Sequence, residues 1–257
     1  MEAEVLIITL GFAALFAGFV DAVVGGGGLV QIPALFSAFP SQAPAILLAT
    51  NKISSIVGTA SAAVQYARRV RVPWRIALPG AAAAFVGSWL GAKAVVFLPP
   101  ELMRPFVLAL LVTVAIYTFV RKDLGTGESR SRHDTRDVVM TVGIGAVIGF
   151  YDGLFGPGTG SFLIFLFVRF VSLDFLHASA TAKIVNVSTN LGAIVYFAAS
   201  VEILWLLGAT MAACNLCGAI IGSRVALKHG SGFVRYMFLG VVTVLILKMS
   251  YDLAVGG

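Results

Sequence analysis

The chain has 257 residues, of which 59% are hydrophobic and 12% charged, with a mean hydropathy of +0.96. A soluble fold of that composition would lack a polar surface, so the sequence describes an integral membrane protein. The net charge of +6 (18 basic, 12 acidic residues) sits mainly in Arg68, Arg69, Arg71 and Arg75 and again between Arg121 and Arg136; neither run has interleaved aromatics or a nucleic-acid module, which excludes a nucleic-acid partner and marks both as cytoplasmic loops under the positive-inside bias.

The first apolar stretch, about 5–23, follows Glu2 and Glu4, where a signal peptide would be basic, and no small-residue cleavage site follows it. It is expected to be a retained helix. Four glycines, Gly25 to Gly28, interrupt it, and a short segment at about 29–39, led by Pro33, comes next. As a helix that segment would span only about 16 Å at 1.5 Å per residue, so it is expected to be re-entrant or half-depth. Longer stretches at about 43–67, 74–97 and 102–120 complete a first half (1–124), and a charged cytoplasmic linker occupies 125–137. The second half (138–257) repeats the order: about 138–154, a break at Gly156-Pro157-Gly158, then 160–172, 175–198, 203–226 and 233–255.

The repetition keeps a single spacing. Asp21 and Asp152, Gly25 and Gly156, Thr50 and Thr181, Lys52 and Lys183, Trp74 and Trp205, Gly87 and Gly218, and Gly91 and Gly222 are all 131 positions apart. The expected fold is therefore an all-α membrane domain of two homologous halves, each with a Gly-broken first helix and three further transmembrane helices. If the short segment after each break returns through the membrane, each half crosses an odd number of times and the halves are inverted repeats. With both termini outside, the Arg68–Arg75 loop, the Arg121–Arg136 linker, Arg169 and the Arg224/Lys228/Arg235 loop all fall inside, while Glu101, Glu202 and Asp252 fall outside. Parallel repeats would put Arg224, Lys228 and Arg235 outside, so the charges favour inversion.

A duplicated break in a membrane helix points to a secondary transporter and to its binding site. Four consecutive glycines within a continuous helix would each cost up to about 1 kcal/mol relative to Ala. At a break they let backbone approach a ligand, and the free N–H groups of the next half-helix form an anion site. In the second half Pro157 can start a helix, and Thr159 and Ser161 can cap it or bind a ligand. Gly87/Gly91 and Gly218/Gly222 read instead as close helix packing.

The helix after each break carries a second signal. Lys52, Ser55 and Thr59, and at the same repeat positions Lys183, Asn186 and Asn190, fall on one helical face. A charged residue deep in the hydrocarbon costs about 2.5–3.5 kcal/mol on insertion scales and usually faces a pathway or a partner. Two such lysines opposite two half-helix N-termini describe a site for a small anion; the alternative is that each pairs with Asp21 or Asp152 or snorkels to the interface. Asp21 and Asp152 read as structural counter-ions or as proton carriers. Asn51, Gln65, Gln31 and Asn215 are amides of the kind that join helices in membranes. His133 and His229 belong to charged loops, and His177 begins a span. Cys214 and Cys217 read as a buried apolar pair, and neither a metal nor another cofactor is expected.

The segments GFVDAVVGGGGLVQIPALF (18–36) and ATNK (49–52), with GFYDGLFGPGTGSF (149–162) and ATAK followed by IVNVSTN (180–190), resemble the TauE/SafE sulfite exporter family over nearly the whole chain. The resemblance implies a cytoplasmic-membrane transporter of sulfite, sulfonates or related sulfur anions, not an enzyme. Carried over by position, its motif residues are Asp21, Gly25, Gly26, Gly27, Gly28, Thr50, Asn51 and Lys52 in the first half. In the second they are Asp152, Gly156, Gly158, Thr181, Lys183, Asn186 and Asn190, to which the break adds Thr159. The duplication is uneven where Asn51 meets Ala182 and Gly26 meets Pro157. The function expected is export of a small sulfur-containing anion by alternating access, with the half-helix N-termini, Lys52 and Lys183 holding it. The alternatives are a proton- or cation-coupled transporter using Asp21 and Asp152, or uptake of a sulfur compound. The expected partners are that substrate and the lipid bilayer, with a homo-oligomer left open.

Overall fold

The computed structural model describes residues 2–95 and 134–255. The apolar stretch expected at 102–120 and most of the expected linker lie outside the described residues. Within them the chain forms eight helical runs and no strand: α1 (Glu2–Val24), α2 (Gly28–Ala38), α3 (Pro44–Ala67), α4 (Trp74–Ala94), α5 (Thr135–Leu154), α6 (Thr159–Phe170), α7 (Phe175–Ser200) and α8 (Trp205–Val255).

Local chemistry sets these boundaries. Gly25 (φ +78°), Gly156 (φ +94°) and Gly158 (φ +79°) hold the left-handed backbone that turns the chain after α1 and α5, a conformation glycine adopts without a Cβ penalty. Pro44 opens α3, where its missing N–H is no loss. Asp134 caps α5 by accepting from the Asp137 amide at 3.0 Å, and Asp174 caps α7 by accepting from the Leu176 and His177 amides at 2.8 and 3.1 Å.

Two expectations are corrected. Pro33 lies inside α2, not at its head. Residues 135–137 of the expected linker form the first turn of α5, with Asp137 buried. The run Trp205–Val255 is two helices that meet at non-helical Gly230 (φ 74°, ψ −168°), in keeping with the expected separate stretches 203–226 and 233–255; the label α8 covers both.

The first helix of each half packs on the fourth helix of the other. A Cβ on Gly87 of α4 would overlap the Ala146 carbonyl of α5 and crowd the Phe150 amide, and one on Gly218 of α8 would overlap the Leu15 carbonyl of α1 and crowd the Phe19 amide. These two sets differ by 131 in every member (87 and 218, 15 and 146, 19 and 150). Gly91 against Phe150 and Gly222 against Phe19 extend both seams, so the two GxxxG pairs serve close backbone packing as expected. α2 doubles back along α1, with Leu35 packed beside Leu10 and Ala14. α3 lies beside α8 (Gly208 on Ile53, Gly58 on Asn215 and Ala219), and α4 beside α7 (Gly192 on Phe85). The Ser88 hydroxyl also donates to the Thr189 carbonyl at 2.6 Å. Leu48 and Ala49 at the start of α3 share a core cluster with Ala193 and Phe197 at the end of α7, whereas Gln65, Arg68 and Arg69 at the end of α3 line a cavity with Leu176 at the start of α7.

The outer face is apolar. Ile8, Phe12 and Phe16 of α1, Leu78 and Val86 of α4, Val139 and Val147 of α5, and Leu206 and Ile221 of α8 are all exposed, a surface suited to lipid and not to water. Three helical stretches, Leu6–Val24, Thr135–Leu154 and Trp205–Gly240, are long and apolar enough to cross a membrane. α3 and α7 have the length, at 24 and 26 residues, but carry the polar stripes and turn them inward.

Candidate functional site

The two breaks meet at the centre of the bundle. The Ser161 amide donates to the Gly25 carbonyl at 3.1 Å and its hydroxyl to the Val24 carbonyl at 2.8 Å, tying the start of α6 to the end of α1. Gly25 and Gly160 approach so closely that a Cβ on either would overlap the other's backbone. The Tyr151 hydroxyl donates to the Pro157 carbonyl at 2.6 Å and holds the second break in shape. One of the α6 amides expected to face a ligand, that of Ser161, is thus already bonded across the repeat.

Around this junction is a cavity of about 20 Å³, bounded by Asp21, Gly25, Gly28, Asn51, Lys52, Ser55, Thr59, Asp152, Gly156, Thr159, Gly160, Asn186 and Asn190. That volume admits about one water. Both breaks and both polar stripes therefore converge on one place. Lys52 and Asp152, each 2% exposed, form an ion pair across the halves, with Nζ donating to Oδ2 at 2.6 Å. The other carboxylate oxygen of Asp152 accepts from the Thr159 hydroxyl at 2.6 Å. A pair so buried is held by geometry: removing one partner would leave a bare charge in a medium of low dielectric.

The related corner is built differently. Lys183 Nζ donates to the backbone carbonyl of Asp21 at 2.8 Å and stands 5.3 Å from the centre of the Tyr66 ring. The Asp21 carboxylate accepts instead from the Thr59 hydroxyl at 2.9 Å. Asn190 donates to the Asn186 carbonyl at 2.9 Å, and the Thr189 hydroxyl lies 2.9 Å from the same carbonyl, so this face of α7 is held by its own backbone. Asn51 contributes a buried Oδ1 with no hydrogen-bond partner among the described residues.

Of the residues expected from sequence, Asp21, Gly25, Gly28, Asn51, Lys52, Asp152, Gly156, Thr159, Asn186 and Asn190 line this cavity. Lys183 does not; its ammonium is turned to the Asp21 carbonyl, which corrects the picture of two lysines facing one anion. Thr50 donates to the Ile46 carbonyl at 2.8 Å and accepts from the Leu204 amide at 3.3 Å, while Thr181 donates to the His177 carbonyl at 2.9 Å. Both are helix-internal or junction bonds away from the cavity. A Cβ on Gly27 would press on the Ala17 carbonyl, the Gly26 carbonyl accepts from the Leu29 amide at 3.1 Å, and Gly158 packs against Leu29 and Phe162, so these three shape the breaks. Gly160 is a cavity residue that the sequence does not mark; its repeat partner is Leu29, so the duplication carries no signal for it. Cys217 is exposed and Cys214 half-buried, which corrects the expected buried pair. Among the described residues no three His, Cys, Asp or Glu side chains are grouped as a metal site.

The chain matches the family model described as sulfite exporter TauE/SafE over residues 10–249. It is 34% identical over 252 residues to "Probable membrane transporter protein YfcA" of Escherichia coli (strain K12), covering 98% of this chain and 92% of that protein. It is 34% identical over 247 residues to "Probable membrane transporter protein ORF9" of Sinorhizobium sp, covering 96% and 93%. A "Probable membrane transporter protein" of Haemophilus influenzae is 30% identical over 240 residues, with 92% and 91% covered. No solved structure matches significantly. A glycine-broken, duplicated helical bundle with an apolar exterior and a family match over nearly its full length place this chain in the TauE/SafE sulfite exporter family of membrane transporters.

Proposed function

We propose that this protein is a secondary transporter that exports a small sulfur-containing anion, such as sulfite or an organosulfonate, across the cytoplasmic membrane by alternating access. The observation that carries the proposal is the convergence of both glycine breaks, Lys52, Asn186 and Asn190 on one central cavity. The family name supplies the substrate class.

The reading extends to topology. The halves are 1–124 and 135–257, joined by a cytoplasmic linker, and they are inverted repeats. In support, α3 ends where its repeat partner α7 begins and starts where α7 ends. Arg68, Arg69, Arg224 and Lys228 also share one mouth, as the charge asymmetry of inverted halves requires.

At about 20 Å³ the cavity is too small for a sulfur oxyanion, so binding one requires it to widen. Loading requires the breaks to separate and Lys52 to exchange the Asp152 carboxylate for the anion. Asn51, Asn186 and Asn190 add neutral donors at the same place. An inside-negative potential favours outward movement of each negative charge by about 2.3 kcal/mol per 100 mV, so export needs no second ion.

The Lys52–Asp152 pair favours a second reading: protonation of Asp152 would free Lys52, coupling the anion to a proton. Proteoliposomes loaded with sulfite separate the two. Saturable efflux accelerated by an inside-negative potential and indifferent to a pH gradient is the expected result. Efflux that follows the pH gradient selects the proton-coupled reading, and flux that requires a metal cation and ignores sulfite rejects both.

A further inference from the structure

The end of α3 opens into a second cavity, of about 610 Å³, whose walls include Gln65, Arg68, Arg69, Arg224 and Lys228. Among the described residues no carboxylate lines it, and none of the four cations Arg68, Arg69, Arg224 and Lys228 has an ion pair. Asp174, in the adjoining connection, is bound by His177, Ser231 and the α7 amides. The positive-inside bias accounts for the sign of these charges. It does not account for two distant segments bringing them into one concave space partly walled by Val70 and Leu227, where low-dielectric surfaces focus the field.

The internal repeat provides a comparison within the same chain. At the positions related by 131, Arg68, Arg69, Arg71 and Arg75 become Ala199, Ser200, Glu202 and Leu206, while Arg224 becomes Lys93 and Lys228 becomes Phe97. Of these six basic positions, the related ones at the other mouth keep a single cation, Lys93. One helix links the basic mouth to the central cavity: Lys52, Ser55 and Thr59 line the central one, and Gln65, Arg68 and Arg69 line the outer one. Between them Tyr66 is fully buried, its hydroxyl donating to the Ala22 carbonyl at 3.0 Å.

The geometry points to a one-sided vestibule that binds small oxyanions from solution before they reach the central cavity. This rests on the anion-transport reading and adds to it a second binding station and a preferred mouth of access. Its contacts are with hydrated cations, so binding is weak and salt-sensitive, with the field raising local anion concentration and capture rate.

The test uses the full chain in nanodiscs of zwitterionic phosphatidylcholine, with inorganic sulfite as the probe. A background of Lys52→Ala, Asp152→Asn and Lys183→Ala disables the central site. On that background sulfite binding at low ionic strength is expected to persist. Adding Arg68→Gln, Arg69→Gln, Arg224→Gln and Lys228→Gln is expected to weaken it about tenfold or more. The difference should vanish near 1 M salt, where the Debye length is about 3 Å, and Lys93→Gln should have no effect. Equal binding with and without the four substitutions, or no salt-sensitive binding on the background, overturns the vestibule. A second arm adds phosphatidylglycerol to the nanodiscs: its occupancy of the cavity, undisplaced by sulfite, also overturns the vestibule and makes the cavity a lipid headgroup site. Failure of the transport reading is distinct: it appears as absence of sulfite flux in wild-type proteoliposomes with this binding intact.

Discussion

The Lys52 corner and the Lys183 corner of the central cavity are related by 131 residues, yet their bonding differs. At the first, Asp152 is gripped by Lys52 and by Thr159. At the second, the residue matching Thr159 is Gly28, which has no hydroxyl to offer, and Asp21 is held by Thr59 while Lys183 turns to a main-chain carbonyl. The seams that carry these corners remain alike, glycine for glycine. A symmetric scaffold thus carries an asymmetric site, in which Lys52 is closed by its own counter-ion.

The comparison is broken most forcefully by charge removal. Lys52→Ala leaves Asp152 buried beside Thr159 alone and is expected to cost about 3–5 kcal/mol, with much of it recovered in Lys52→Ala/Asp152→Asn. Lys183→Ala removes a donor to a carbonyl and is expected to cost about 1.5–3 kcal/mol. Unfolding of the three variants in mild detergent measures the difference, and equal losses at the two lysines would remove the asymmetry.

The seams sharpen the other side of the comparison. Gly91→Ala and Gly218→Ala each place a Cβ against a backbone carbonyl, of Phe150 and Leu15 respectively. Each should destabilise by about 1–3 kcal/mol, and by similar amounts, because the backbones cannot yield without parting the helices. A large difference between them, read in the same unfolding experiment, would mean that the symmetric scaffold is not mechanically symmetric.

The smallest effect is at the helix caps. Burial pushes the Asp174 carboxyl up, but hydrogen bonds from His177 and Ser231 and the charge of His177 outweigh it and hold the pKa at about 2, below the ordinary 3.8. A carboxylate depressed in this way stabilises the fold above its unfolded pKa, and that contribution fades as pH falls from 3.8 towards 2. Asp174→Ala is expected to cost about 1 kcal/mol near neutrality and to flatten the loss of stability over that acid window. Asp134, which caps α5 through a single amide, should matter less; stability against pH for both variants decides it.

Much of this architecture is legible in the residues. The breaks at Gly25 and Gly156, the stripes led by Lys52 and Lys183, and the GxxxG seams are local patterns, and the common offset ties each to its partner. The partners themselves are not local. Lys52 and Asp152 are 100 residues apart, and counting one lysine per aspartate cannot say that one corner closes as an ion pair and the other through a carbonyl. Lys183's withdrawal from the cavity depends on the Tyr66 ring and the Asp21 main chain, which no periodicity reports. The junction between the stretches 203–226 and 233–255 narrows to Gly230, the one non-helical residue of that run. The exposure of Cys217 follows from which face of α8 meets α1, a packing choice made by Gly218 and Gly222.

The central claim, that Lys52 and the breaks hold a sulfur anion, is tested most directly by anion-dependent stabilisation of the purified protein. The panel is sulfite, organosulfonates and thiosulfate, with chloride, sulfate and metal cations as controls, on wild type, Lys52→Ala/Asp152→Asn and Lys183→Ala. The account predicts saturable stabilisation of the wild type by one sulfur anion, about 2.7 kcal/mol at a hundred times Kd, abolished in the Lys52 variant and weakened in the Lys183 variant. Undiminished stabilisation in the Lys52 variant, or a response confined to cations, would contradict it.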